Sequence, residues 1–328
     1  MARIAQFVIA CLAALVAAVP SLSQAEATWP RDSLRVIVPF APGGLTDVIG
    51  RTLAQELAKS LKVPAIVENR SGAYGLLGTE YVAQARPDGH TLLVGGGIVA
   101  LADALYPKLR FDPRKDLVPV AMIERNGLLL LATRSSERFA GADLPQVLRW
   151  ARAQPGSIAV ASFGSGSISH MALETLKTAG RADLLHVPYR GTAPALPDLI
   201  GGQVPLMFDN TVTALPQVRS GKIRAIAYTG KERLAQLPDV PTFTELGLPQ
   251  LQVYNFFGLY VPAGTPAAVA ERLNAEVNRI FRQPEVVAKF AEMGAELHPG
   301  SAAAFSAFLE GERSRWGQLI RSRNIRPE

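Results

Sequence analysis

Leu34 to Val38 is a short, mostly β-branched run, and the six residues that follow, Pro39 to Gly44, hold two prolines and two glycines. The run reads as a strand buried on both faces, and the prolines and glycines force the backbone to turn. Thr46 and Asp47 then suit a helix start, because a side-chain oxygen can accept from a free first-turn N–H. Ile49, Leu53, Leu57 and Leu61 step by four and give that helix one apolar stripe. The unit is a strand feeding a glycine-lined helix N-terminus, which is a place for an anion. It recurs. Ala65 to Val67 runs into Glu68-Asn69-Arg70-Ser71-Gly72-Ala73-Tyr74-Gly75 and a helix with Leu76, Leu77, Val82 and Ala83. After the turn Pro87-Asp88-Gly89, Thr91 to Val94 runs into Gly95-Gly96-Gly97 and a further helix. This alternation predicts an α/β fold with parallel strands and ligands at their carboxyl ends.

At 328 residues the chain exceeds what one hydrophobic core usually accommodates, so two domains are expected. Phe111 to Leu117 reads as an ordered loop before a strand from Val118 to Ile123. Asn126-Gly127 breaks the pattern ahead of the apolar run Leu128 to Ala132. A second alternating series follows, with strands at Ile158–Ala161, Leu184–Val187, Val204–Phe208 and Arg224–Tyr228. Pro238 to Thr242 is a rigid connection, and the strand Phe256 to Val261 returns the chain to the first domain. Thr265-Pro266 is expected to open a helix striped by Val269, Leu273, Val277 and Ile280, with the proline at its first position. Phe305, Leu309, Trp316 and Ile320 give the last helix its buried face. The expected division is 1–25 as a leader, 26–126 plus 250–328 as one domain, and 127–249 as the other.

The leader is read from Arg3, the apolar run Ile4 to Pro20, and Ser23-Gln24-Ala25, which fits the small-x-small rule for cleavage after Ala25, with Ala27 as the fallback. A retained anchor fits less well, since the apolar part is short and lacks a positive stop-transfer flank. Cys11, the single cysteine, lies inside that run, so the mature chain is expected to carry no disulfide or thiol chemistry.

A formal charge of +6 without a dense Lys/Arg block and interleaved aromatics gives no support to nucleic-acid binding. The second conspicuous stretch is Ser162-Phe163-Gly164-Ser165-Gly166-Ser167-Ile168-Ser169-His170, placed to follow a strand and open a helix. Its N–H groups and hydroxyls suit a carboxylate. The rival reading is an exported serine hydrolase using a serine of Ser162–Ser169 with His170 as base. G-x-S-x-G is absent, however, and His170 would lie on the helix. His90, His170, His186 and His298 are scattered. His170 and Glu174 at i, i+4 lack a third metal ligand and read as a helix-surface pair. Gly95-Gly96-Gly97 lacks the full dinucleotide fingerprint. Asp209 ends a strand, either to accept from a ligand or to cap the next helix.

Taken together, these stretches resemble the substrate-binding proteins of tripartite tricarboxylate transporters, the Bug receptors. The resemblance rests on Val38-Pro39-Phe40-Ala41-Pro42-Gly43-Gly44 with Asp47 and Arg51, and on Glu68 to Ala73. It continues through Pro87 to Leu93, Phe111-Asp112-Pro113, Phe163 to Ser167 with His170, and His186-Val187-Pro188-Tyr189-Arg190-Gly191. Gly201-Gly202-Gln203, Pro238 to Thr242 and Pro262 to Pro266 complete it. It implies a two-lobed α/β periplasmic binding protein of type II-like architecture, with the ligand cleft between two α/β domains. It implies a monomer that captures a small carboxylate and delivers it to membrane permease subunits, without catalysis, cofactor or metal. The expected ligand-binding residues are Phe40, Ala41, Pro42, Gly43, Gly44 and Asp47, then Ala73, Tyr74 and Gly75. In the second domain they are Gly164, Ser165, Gly166, Ser167, His170 and Asp209. Tyr74 stands where the family often has glycine, and Leu45 where a small or polar residue is common. Backbone amides and hydroxyls, rather than a buried arginine, are expected to hold the charge.

Overall fold

A computed structural model describes residues Trp29 to Pro327; the expected leader, and with it the expected mature start near Glu26, lies outside the described residues. Strand β1 (Leu34–Val38) lies between β2 (Ala65–Asn69) and β3 (Thr91–Gly95), parallel to both, with Val36 opposite Val67 and Leu92. The next neighbour of β3 is antiparallel β9 (Tyr254–Pro262), and beside it runs β4 (Leu117–Thr133). The far end of β4 lies between β7 (Leu206–Asn210) and β8 (Ile223–Tyr228), antiparallel to both. Parallel to β7 come β5 (Ala159–Ser162) and β6 (Leu185–Pro188). The result is two lobes, each with three parallel strands, sharing β4.

The helices, in chain order, are α1 (Leu45–Leu61), α2 (Leu76–Ala83), α3 (Ile98–Leu105), α4 (Glu137–Ala140), α5 (Leu144–Ala153) and α6 (Ile168–Gly180). They continue with α7 (Thr192–Gly201), α8 (Thr211–Arg219), α9 (Ala267–Ile280), α10 (Pro284–Glu292) and α11 (Ala302–Ser322). The apolar stripes are buried as expected. Ile49, Leu53 and Leu57 of α1 join Val269, Leu273, Val277 and Ile280 of α9 in one core. Phe305, Leu309, Trp316 and Ile320 of α11 join Leu128 to Ala132 in the other. One cap differs from expectation: Pro266 is the N-cap of α9 rather than its first helical residue, and Thr265 donates to Pro262 O at 2.7 Å. No helix of the described residues is long and apolar enough to cross a membrane.

The expected break at Asn126-Gly127 does not occur. β4 is one continuous 17-residue strand, which exchanges β9 for β7 and β8 between Gly127 and Leu128. Gly127 serves a close approach instead: a Cβ there would lie 2.6 Å from the Tyr228 ring and 2.7 Å from Gly230 N. Gly127 N donates to Tyr228 Oη at 3.1 Å, and that hydroxyl donates to Asn126 Oδ1 at 2.6 Å. Asn126 Nδ2 in turn donates to Thr211 Oγ1 and to Gly294 O. Leu128 N donates to Thr229 Oγ1 at 2.7 Å, and Asn255 Nδ2 to Asn210 Oδ1 at 2.9 Å. Buried polar bonds thus fasten the crossing between the lobes.

Two residues before Asn126, Glu124 is fully buried and neither carboxyl oxygen has a partner. Burial, and then the nearby Glu296, push its pKa well above the usual range. A raised folded-state value means that stability present below the unfolded pKa is lost as pH rises through the folded one. Glu124→Gln is therefore expected to raise the stability of the protein measurably more at pH 8 than at pH 4. Urea unfolding at the two pH values checks this, and a variant destabilised at pH 8 would contradict it.

Candidate functional site

The carboxyl end of β1 opens into Pro39–Gly44, and Ala41 to Gly44 are exposed. Gly43 has φ +94°, a region that favours glycine, while Gly44 is extended at φ −84° and ψ 174° and is the N-cap of α1. No side chain caps α1, and a Cβ at Gly43 or Gly44 would meet nothing within 4 Å. Asp47 N and Val48 N donate to Gly44 O, and no side chain caps the first-turn amides of Leu45 and Thr46. Behind them Asp47 is buried. Its Oδ2 accepts from Gly43 N at 3.1 Å and Arg51 Nε at 2.8 Å, and its Oδ1 from Asn69 Nδ2 at 2.9 Å. Asn69 Nδ2 also donates to Phe40 O at 3.0 Å. Burial alone would raise the Asp47 pKa, but the Arg51, Asn69 and Gly43 bonds outweigh it and lower the value. Asp47 thus braces the loop from the rear; it neither caps α1 nor has an oxygen left for a ligand.

The second turn, Ala73–Gly75, follows β2. Ala73 (φ +45°) and Tyr74 (φ +52°) are both left-handed, and Gly75 follows at φ +90°. Phe40 packs edge-on to Tyr74 at 5.9 Å and to Phe257 at 6.4 Å, and a Cβ on Gly75 would stand 3.2 Å from the Phe40 ring. Tyr74 reaches the other lobe, where its hydroxyl accepts from Ile168 N at 3.4 Å. Burial pushes the phenol up to about 12, so it stays neutral.

In the second lobe β5 ends at Ser162, and Phe163–Ser167 leads into α6. Ser167 is the N-cap and accepts from His170 N at 3.3 Å. Its hydroxyl also meets Ser169 Oγ at 2.9 Å, and Ser169 Oγ accepts from Phe163 N at 2.9 Å. Ser162, Ser167 and Ser169 are fully buried, while Gly164 and Ser165 are partly exposed. Gly166 N donates to His170 Nδ1 at 3.1 Å. The His170 ring stacks on His186 at 3.7 Å, and His186 Nε2 lies 2.6 Å from Ser162 Oγ. The expected surface pair of His170 with Glu174 is instead buried, 3.9 Å apart, and Glu174 is held by Lys177 at 3.0 Å. The Ser167 hydroxyl and the His170 ring therefore build the turn from inside. Lobe meets lobe here as well. A Cβ on Gly97 would come 2.9 Å from Ile168, and one on Gly166 2.8 Å from Leu105.

The sequence pattern described as "Tripartite tricarboxylate transporter family receptor" matches residues 49–325. The chain belongs to this family. Among solved structures it is similar to MatC from Rhodopseudomonas palustris with bound malate, at 38% identity over 89% of this chain and all of that one, TM-score 0.79. It is similar to R. palustris Rpa4515 with adipate, at 31% identity over 92% of this chain and all of that one, TM-score 0.83. The periplasmic binding protein BugD is 31% identical over 90% of this chain and 99% of its own length, TM-score 0.80. These likenesses show the two-lobed fold of periplasmic binding proteins.

For a receptor of the tripartite tricarboxylate transporter family, the sequence reading overlooked one turn. Gly191 (φ +107°) is the N-cap of α7, no side chain caps that helix, and a Cβ there would meet nothing within 4 Å. Gly191 N donates to Phe163 O at 3.1 Å, so this turn adjoins Phe163–Ser167. A glycine between the strand-like His186–Pro188 and Thr192 was the available signal. Asp209, expected as a ligand acceptor or helix cap, is fully buried and supports this turn instead. It accepts from Thr192 Oγ1, Asn210 N and Thr213 Oγ1, each at 2.8 Å. Burial pushes its pKa to about 6 against the pull of those donors.

Arginines near the receptor's first lobe are committed to acids: Arg51 to Asp47 at 2.8 Å, Arg35 to Glu68 at 2.8 Å and Arg70 to Glu68 at 2.5 Å. No three His, Cys, Asp or Glu side chains cluster for a metal ion among the described residues. Burial lowers His170 to about 4, and burial with the adjoining His170 lowers His186 to about 3. Lowered values mean that the unfolded chain binds these protons first, so their contribution to stability is present above about 6.5 and is lost as pH falls. Both rings are expected to titrate below pH 5 by proton NMR. An ordinary value near 6.5 for either would contradict the buried stack.

Proposed function

We propose that this receptor captures a small carboxylate in the cleft between its lobes and delivers it, unchanged, to the membrane permease of a tripartite transporter. The observation that carries the reading is the exposed Gly43-Gly44 turn at the N-terminus of a 17-residue helix that no side chain caps, braced from behind by Asp47. The carboxylates bound to MatC and Rpa4515 support it. The proposed site comprises the Phe40–Gly44 loop, the Ala73–Gly75 turn and Gly164 to Gly166, to which Gly191 and Thr192 are added. Asp47, Ser167, His170 and Asp209 act behind it as braces.

The lobes of this proposal are residues 26–126 with 250–328, and 127–249, hinged where β4 changes partners. The chain works as a periplasmic monomer after loss of residues 1–25. Charge-assisted hydrogen bonds contribute roughly 1.5–3 kcal/mol each, and a helix N-terminus about 0.3–1 kcal/mol. A few such contacts on both lobes can offset the cost of closure and still leave about −8 kcal/mol, near micromolar affinity. The test is calorimetry with malate, adipate, benzoate and cinnamate, followed by mass spectrometry of the released ligand. One equivalent recovered unchanged is expected, with no cleavage of p-nitrophenyl acetate; release of p-nitrophenol by the protein would favour the hydrolase reading.

A further inference from the structure

The Ala73–Gly75 turn has a feature that capture of a carboxylate does not require. Two successive non-glycine residues, Ala73 and Tyr74, take left-handed backbone conformations, which cost energy in L-residues and persist only where the surroundings hold them. Gly72 at φ +141° and Gly75 at φ +90° flank them, and the Phe40 ring packs on both Tyr74 and Gly75. This geometry carries the Tyr74 side chain across the cleft. There its hydroxyl takes the amide of Ile168, the first residue of the 13-residue α6. Ser167 already serves His170 N at that helix end. A neutral oxygen thus stands where a second carboxylate, bridging the lobes, would find its helix dipole and free amide.

We infer that Tyr74 sets specificity, restricting this receptor to ligands with one carboxylate and a flat apolar body and rejecting short dicarboxylates. The inference rests on the carboxylate-receptor reading above and narrows it. The charged end belongs at the Gly43-Gly44 turn. The apolar body belongs against Phe40, Tyr74 and Phe257, whose rings form a connected edge-to-face row at 5.9 and 6.4 Å. Leu45, half-buried at the first turn of α1, adds to that apolar wall. At the α6 end a second carboxylate would be pressed against ring edges with the Ile168 amide already taken by Tyr74, which penalises the charged group strongly. A hydrocarbon body gains from the same surface.

Calorimetry on the wild type, Tyr74→Gly and Tyr74→Asn tests this with benzoate and cinnamate against malate and adipate. Glycine relieves the left-handed backbone and asparagine tolerates it, so both variants are expected to fold, which circular dichroism checks. The wild type is expected to bind an aromatic monoacid at least tenfold more tightly than either diacid. Each variant is expected to shift that ratio at least tenfold towards the diacids. A wild type that binds malate or adipate as tightly as the aromatic acids overturns the inference while leaving the carboxylate receptor standing. An unchanged ratio in both variants overturns it too. If none of the four acids binds any of the proteins, the receptor reading itself fails and the inference with it.

Discussion

Gly44→Val is expected to lower carboxylate affinity at least 100-fold while the protein keeps its fold. Gly44 is extended, at φ −84° and ψ 174°, so valine meets no backbone strain there. Its Cβ would touch nothing within 4 Å, so the branched side chain enters the open space at the turn where the proposed site puts the ligand's carboxylate. Displacing two charge-assisted hydrogen bonds, at about 1.5–3 kcal/mol each, suffices for the stated loss. Loss of glycine at the N-cap costs about 1 kcal/mol of helix stability, which an intact lobe tolerates. Gly43→Val is the less clean variant, because φ +94° adds backbone strain to the steric block. Calorimetry measures the affinity and circular dichroism the fold. Wild-type affinity in Gly44→Val would remove this loop from the site.

The second large effect is expected at Asp47, which the proposed site puts behind the ligand-binding turn. Asp47→Asn keeps the shape but turns one oxygen into a donor. One accepting atom is thereby lost from a set that serves Gly43 N, Arg51 Nε and Asn69 Nδ2. Leaving such a buried group unpaired costs about 1–3 kcal/mol, and the displaced Gly43 amide should weaken binding at least tenfold. Acid reproduces part of this in the wild type. The Asp47 pKa lies below its ordinary 3.8, so its contribution is complete above that value and is lost as pH falls through the lowered one. Urea midpoints at pH 3 and pH 7 should therefore differ less in Asp47→Asn than in the wild type. Wild-type stability and affinity in the variant would show that the bracing is unimportant.

What could be read from the sequence was local. The stripe Ile49, Leu53, Leu57 and Leu61 carries its own period, and the strand–turn–helix units carry their own punctuation. The turn residues of Gly43-Gly44 and Gly164 to Gly166 were legible for the same reason. Roles set by distant partners were not. Gly127 read as a break because its reason, the Tyr228 ring, lies 101 positions on. Asp47 read as a helix-start residue and ligand contact, and Asp209 as a ligand acceptor or helix cap. Besides the local Gly43 N, Arg51 Nε and Asn210 N, the groups that occupy them come from Asn69 on β2 and from Thr192 and Thr213 on separate helices. Ser167 and His170 were recognisable as unusual, but the stacking of His170 on His186 that buries them depends on the pairing of β5 with β6.

The central claim, that backbone amides rather than arginine hold the ligand's carboxylate, is tested most directly by amide NMR. The ¹⁵N-labelled protein is titrated with whichever of benzoate, cinnamate, malate and adipate binds most tightly. The amide signals of Gly44, Leu45, Thr46 and Thr192 are expected to move and saturate at one equivalent, those of Gly43 and Gly191 beside them following, while the side-chain Nε signals of Arg35, Arg51, Arg70 and Arg190 stay in place. Saturable binding that shifts an arginine Nε and leaves the Gly43 and Gly44 amides unmoved would contradict it.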